Sequence, residues 1–200
     1  MNMGIFIRSL IAKCGVYAFF IIVHIPILQG EEQSKCPSLA ENPICPCYTF
    51  KEDLFLECPS ATPNVVKNVL TKIQGTIHSL SIYDLERTTT ELNADFFPPH
   101  IKIKHLQITQ SGINKISPSA FISIRDSLGS LSIIASKLNK IPHESFFELF
   151  NIEALDFQLN DIKEIEAHTF KDLKLKKVNL RGNKIANISA QAFQDLDKTL

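Results

Sequence analysis

Four cysteines in "CPSLAENPICPCYTFKEDLFLEC", namely Cys36, Cys45, Cys47 and Cys58, have the spacing most able to do chemistry. A C-x-C pair could offer thiolates to zinc, but no histidine lies near it. An apolar leader at the N-terminus directs the chain to an oxidising compartment, where such cysteines form structural disulfides. Four cysteines allow three connectivities; Cys45 and Cys47 are too close to bridge each other without strain, which leaves two. The histidines beyond the leader, His78, His100, His105, His143 and His168, follow no metal-ligand spacing such as HExxH. "HESF" sets His143, Glu144 and Ser145 side by side, but a catalytic triad is an arrangement in space, not three neighbours on a loop. Glu164 and Glu166, like Glu31 and Glu32, read as charged surface residues. With no GxSxG, P-loop or GxGxxG, the chain is expected to have no catalytic residue, no metal and no cofactor.

The elements that carry these residues show themselves as a repeat. "VNLRGNKIANISAQAFQDL" places Val178, Leu180, Ile185, Ile188, Phe193 and Leu196 at intervals that fit neither a strand nor a helix throughout. Nearly the same offsets recur in Leu155, Phe157, Ile162, Ile165, Phe170 and Leu173, in Leu131, Ile133, Leu138, Ile141, Phe146 and Leu149, and in Leu106, Ile108, Ile113, Ile116, Phe121 and Ile124. A weaker copy has Leu80, Ile82, Leu92 and Phe96. The units begin at 80, 106, 131, 155 and 178. Units of this length, with an LxL core and a polar residue after it, are the signature of the leucine-rich repeat.

The spacing has a physical basis. In each LxL the outer residues point inward from a short strand and the middle one points outward. Ser111, Ser136, Asn160 and Asn183 follow three residues later, where an amide that donates and accepts can satisfy the turn. The later apolar positions fill the space behind the strands, and the column Phe96, Phe121, Phe146, Phe170 and Phe193 is expected to stack as a continuous spine. No unit can bury its apolar face alone. The fold expected is an α/β leucine-rich repeat solenoid with a curved parallel sheet on its concave side.

Lysine plus arginine and aspartate plus glutamate both number 21, so nucleic-acid binding has no electrostatic footprint. Arg8 and Lys13 lead into an apolar run too short for a membrane span and interrupted by His24 and Pro26, which reads as a cleaved signal peptide over residues 1–30 that takes Cys14 with it. Residues 31–75 read as a cysteine-rich cap ending in a short helix: Thr62 caps it, Pro63 starts it, Val66, Val69, Leu70 and Ile73 form its apolar face, and Gly75 ends it. Residues 76–200 hold about five repeats.

The cap resembles the cysteine-rich flank that precedes extracellular leucine-rich repeats. That resemblance implies Cys36 paired with Cys47 and Cys45 with Cys58. With its long first gap, the Pro43 to Cys47 stretch, "NVLTKIQGTIHSLSI" and weak first repeats, the chain is similar to secreted arthropod proteins described as like the non-catalytic subunit of oplophorus luciferase. This implies a secreted binding or stabilising protein without chemistry of its own.

The outward strand positions supply the candidate binding face. One column is Ser81, Gln107, Ser132, Asp156 and Asn179; the next is Tyr83, Thr109, Ile134, Gln158 and Arg181; Ser79, His105, Ser130, Ala154 and Lys177 flank them. A largely neutral face that exposes Tyr83 and Ile134 suits a protein or glycan partner. The alternative is a cell-surface adhesion or receptor ectodomain whose anchor is missing from this chain. Ile103, Leu128, Ile152 and Leu175 each lead a coil, and Leu200 would lead another, so a truncated C-terminal end that self-associates is expected. Asn187, in "NIS", carries the only N-x-S/T sequon, in the outer loop of the fifth unit. Glycosidase treatment of the secreted protein should lower its mass, and Asn187→Gln should abolish that change; an unchanged wild-type mass refutes the site.

Overall fold

The computed structural model describes residues 36–194 and residue 196. The expected signal peptide, Glu31, Glu32 and Leu200 lie outside the described residues. Strands β1 (Cys47–Phe50) and β2 (Asp53–Pro59) form a hairpin whose tight turn puts Lys51 and Glu52 at φ 49° and 71°. Helix α1 (Pro63–Lys72) follows, then β3 (Thr76–Tyr83), β4 (Glu91–Leu92), β5 (Lys102–Thr109), β6 (Lys115–Ile116), β7 (Ser130–Ile134), β8 (Ala154–Asp156), β9 (Glu164–Ile165), β10 (Lys177–Asn179) and β11 (Asn187–Ile188). One sheet runs β1-β2-β3-β5-β7-β8-β10, antiparallel only at β1–β2. Behind it, β4 pairs with β6 and β9 with β11, also in parallel. The only α-helix among the described residues is α1, so turns and two-residue strands build the back of most coils.

Two disulfides tie the cap, Cys36–Cys47 and Cys45–Cys58. The cap does more than cover the end of the first coil. β2 pairs in parallel with β3 over Leu54–Pro59, making the cap a strand of the sheet itself. Thr62 caps α1 by accepting the Val65 N–H at 3.2 Å, and Val66, Val69 and Leu70 are buried. The helix stops at Ile73, whose backbone is extended; Gly75, at φ 97°, makes the turn into β3 rather than capping the helix.

One conformation recurs at the equivalent position of each coil, directly after β2, β3, β5 and β7 and three residues beyond the shorter β8 and β10. Ser60, Asp84, Gln110, Ala135, Leu159 and Gly182 all have positive φ, and only the last is glycine. Their amides form a line of bonds between coils: Ser60 N–H donates to Tyr83 O, Asp84 to Thr109 O, Gln110 to Ile134 O, Ala135 to Gln158 O and Leu159 to Arg181 O, at 2.8 to 3.1 Å. The next residue turns inward. Asn160 donates through Nδ2 to Ile133 O at 2.7 Å and Phe157 O at 3.0 Å, and its Oδ1 accepts from Leu138 N–H. Asn183 repeats the pattern on Phe157 O, Leu180 O and Ile162 N–H. Ser111 and Ser136 are too short to span coils this way and bond each other at 2.8 Å. In the first coil and the cap the equivalent residues are apolar, buried Leu85 and Ala61.

The core is one continuous cluster behind the sheet, and the leading residues Ile103, Leu128, Ile152 and Leu175 are all buried. The phenylalanine column is not a continuous stack. Phe96 meets Phe97 at 4.9 Å, Phe97 meets Phe121 at 6.4 Å, Phe146 stacks on Phe157 at 6.1 Å and Phe170 on Phe193 at 5.3 Å. Rings from other positions, Phe97 and Phe157, take the contacts the column was expected to make. Phe193 is 40% exposed and Ile188 59%, while Val178, Leu180 and Ile185 are half-buried.

Asn160→Ala strands two buried carbonyls and an amide, and should cost about 2–3 kcal/mol in urea melts. Ala135→Gly relieves a left-handed alanine and should change stability by less than about 1 kcal/mol, in the stabilising direction. Equal losses from both substitutions would refute the distinction between the two positions.

Candidate functional site on the solvent face of the sheet

Parallel register aligns the outward side chains into columns. Ser81, Gln107, Ser132, Asp156 and Asn179 are successive partners, and the cap adds Glu57 beside Ser81. Tyr83, Thr109 and Ile134 also pair in turn, while Gln158 and Arg181 follow the ends of their strands. The flanking column is Phe55, Ser79, His105, Ser130, Ala154 and Lys177. Of these positions, His105, Gln107, Lys177 and Arg181 are exposed and the rest half-buried, so the face is open to solvent along its length. Asn187 is exposed on β11, at the back of the molecule and away from this face.

The columns are not uniform. At the N-terminal end, four rings run across four strands. Tyr48 stacks on Phe55 at 5.4 Å, Phe55 leans on His78 at 5.2 Å, and His78 meets His105 edge-on at 4.9 Å. Tyr48 and Tyr83 both donate to the Glu57 carboxylate, at 3.2 and 3.4 Å. Their phenols are pushed above the ordinary tyrosine range, first by burial and then by Glu57, so both hydroxyls remain donors. Asp53 lies 3.4 Å from His78 Nδ1 and 3.6 Å from Lys104, though the approach to His78 is too poorly aligned for a hydrogen bond. The middle of the face is small and neutral, carrying Gly129, Ser130, Ser132 and Ala154. Towards β10 the face becomes amidic and cationic. Asn179 donates to Asp156 at 3.0 Å, Lys176 pairs with Glu153 at 2.8 Å, and Lys177 and Arg181 are exposed.

Tyr48, Phe55, Glu57 and His78 are not among the residues read from the sequence as a binding face. The signal was present: "DLFLEC" alternates strictly, with Leu54, Leu56 and Cys58 inward and Phe55 and Glu57 outward. Setting the cysteine cap apart from the repeats hid it. His143 lies 3.6 Å from Glu166, and Ser145 is buried with its hydroxyl on Pro142 O, so "HESF" forms a turn of 3-10 helix and not a triad. Among the described residues, no group of three or more His, Cys, Asp or Glu could hold a metal ion. Nor is any helix there long and apolar enough to cross a membrane.

Six copies of the BspA type leucine rich repeat region match residues 74–199, more than half of the chain. The chain belongs to this leucine-rich repeat family. Over 89 residues it is 28% identical to a leucine-rich repeat-containing G-protein coupled receptor 5 from Bos taurus, a match that spans 44% of this chain and 10% of the receptor. Among solved structures it is similar to a TLR13–ssRNA13 complex, with a TM-score of 0.47 and 16% identity over 70% of this chain and 26% of that one. The leucine-rich repeat chain thus spans only a small part of the proteins it matches.

The partial desolvation of His105 in the ring run sets an expectation for how stability varies with pH. His105 is held below the ordinary imidazole range, chiefly by burial, then by His78 and Lys104 beside it. Asp53 and Ser130 also face this pair, the latter with its hydroxyl 2.7 Å from His105 Nδ1. A histidine whose folded pKa lies below its unfolded value of about 6.5 binds protons more readily when unfolded. Its effect on stability is therefore a loss that begins as pH falls through the unfolded value and levels off below the folded one. His105→Gln should shrink the loss of stability between about pH 7.5 and 5.5. An unchanged difference between those two urea melts refutes the assignment.

Proposed function

We propose that this chain is a non-enzymatic, extracellular binding protein whose sheet face contacts a protein partner, as a recognition or stabilising subunit. The observation that carries this reading is the ring group at one end of a polar, hydrogen-bonding face, with Tyr48 exposed and Phe55 and Tyr83 half-buried beside it. Tyrosines with a pinned hydroxyl and an accessible ring are the chemistry of interface hot spots, and neutral amides and hydroxyls are the chemistry of their surroundings. Support for an extracellular site comes from the two cap disulfides and from the apolar leader. The resemblance of the cap and first coils to secreted arthropod repeat proteins points the same way.

A second reading is favoured by the short match to a receptor: the chain as part of a cell-surface ectodomain. Both readings use the same face. They differ in whether the whole protein is anchored, which membrane fractionation of the full-length product decides.

The face itself is tested with a photo-reactive phenylalanine analogue at Gln107, on the sheet, and at Lys171, on the outer side, in protein expressed by the cells that make it. A discrete cross-linked species from position 107, absent from position 171, is expected. The same species from both positions, or none from position 107, overturns the proposal.

A further inference from the structure

Glu57 differs from Asp53 and Glu153 on this side of the molecule; Asp156 also lacks a cation, but two amide groups, Asn179 Nδ2 and Gln158 Nε2, and the Gln158 N–H donate to it. Asp53 faces His78 and Lys104, and Glu153 is paired with Lys176. No lysine, arginine or histidine among the described residues pairs with Glu57. Its only side-chain partners are the two phenols, Tyr48 on Oε1 and Tyr83 on Oε2. Its half-buried position comes from register: β2 holds it against Ser81 of β3, and its own amide donates to Pro46 O at 3.1 Å. A carboxylate offers about four acceptor sites, and two neutral donors leave both its charge and part of its capacity unused.

We propose that Glu57, with Tyr48, Phe55 and Tyr83 around it, is a binding site for an arginine side chain of the protein partner. This rests on the sheet face being the partner-binding surface and names what its N-terminal end recognises. A guanidinium matches the site in three ways. Its fork of N–H donors meets the open lone pairs of a fixed carboxylate. Its plane stacks on aromatic faces, which the parallel Tyr48–Phe55 pair presents at the edge of the sheet. Its charge balances a carboxylate that the fold leaves uncompensated. The tyrosines serve twice: their hydroxyls orient Glu57, and their rings carry the electron-rich faces that a cation meets. An acidic segment would meet Glu57 and Asp53 with like charge.

The test uses the intact, disulfide-bonded chain and two probes of the same shape, N-acetyl-arginine amide and N-acetyl-citrulline amide, which lacks the charge. Nuclear magnetic resonance titration at neutral pH should show saturable shifts for arginine, centred on Tyr48, Phe55, Glu57 and Tyr83, and at least tenfold weaker binding of citrulline. Glu57→Gln keeps the shape and one acceptor oxygen, its amide N–H donating to the oxygen of the other phenol, and should weaken arginine binding at least tenfold by removing the charge; Asp156→Asn, on the same face, should not change it. Equal binding of the two probes, shifts centred elsewhere, or no saturation overturns the site. The comparison of probes on the wild-type chain decides the matter even if a variant fails to fold. The titration needs no partner, so its failure is separable from that of the cross-link. A cross-link at Gln107 without arginine binding overturns the site and leaves the function; arginine binding at Glu57 without the cross-link does the reverse.

Discussion

Every coil must leave its strand through a left-handed residue, and the structure depends on how that turn is held. An L-residue there is strained by about 1–2 kcal/mol, yet five of the six positions from Ser60 to Gly182 are not glycine. The strain persists because each turn amide bonds to a carbonyl of the following coil, one residue before that coil's own left-handed residue. The line of bonds fixes the phase of each coil against the next. With the phase fixed, the residue after the turn always faces inward, where Asn160 and Asn183 satisfy carbonyls of two coils at once. Only then do the apolar side chains of successive strands meet in register and exclude water from the space behind the sheet.

The same phase organises the solvent face. Since side chains alternate along a strand, a slip of one residue would turn Leu131 and Ile133 outward and Ser132 inward. A parallel ladder therefore sorts outward residues into columns without any contact among them having to be favourable. Such a surface is free to vary for recognition while the turn and the core remain constant. Its variation here is directional, with rings at the cap, small neutral side chains in the middle and amides and cations towards β10.

Much of this was legible in the residues. The recurring offsets of leucine, isoleucine and phenylalanine give the coil length, the inward residues and the outward columns, because parallel strands one coil apart share a phase. Three things were not legible. The left-handed position is marked by glycine only at Gly182, and Ser60, Asp84, Gln110, Ala135 and Leu159 share no chemistry that announces a backbone angle. The phenylalanine column was read as a stack because its members recur in sequence. Ring contacts, however, are set by which neighbour fills the gap, and Phe97 and Phe157 fill it from other positions. The cap was separated from the repeats by its disulfides. Its strand alternates like the others, and Phe55 and Glu57 belong to the same columns as Ser79 and Ser81.

Equal numbers of acidic and basic residues also conceal where the charges sit. Between residues 171 and 194, Lys171, Lys174, Lys176, Lys177, Arg181 and Lys184 stand against Asp172 alone, whereas Glu41, Glu52, Asp53, Glu57, Asp84 and Glu86 outnumber the cations of the cap and first coil. Lys184 is held by Asp161 and Lys176 by Glu153, so part of the excess is spent on joining coils. Lys177 and Arg181 are exposed on the face side of β10, and Glu57 is uncompensated at the other end. The distance between them is several strand spacings of about 4.8 Å, longer than the screening length of about 8 Å in physiological salt. The two ends therefore act as separate local charges rather than as one dipole. On the proposed function, a partner laid along the face would meet each end by contact, and its orientation would follow from which of its side chains sits over Glu57 and which over Lys177. Complementarity of this local kind governs register and specificity more than overall affinity.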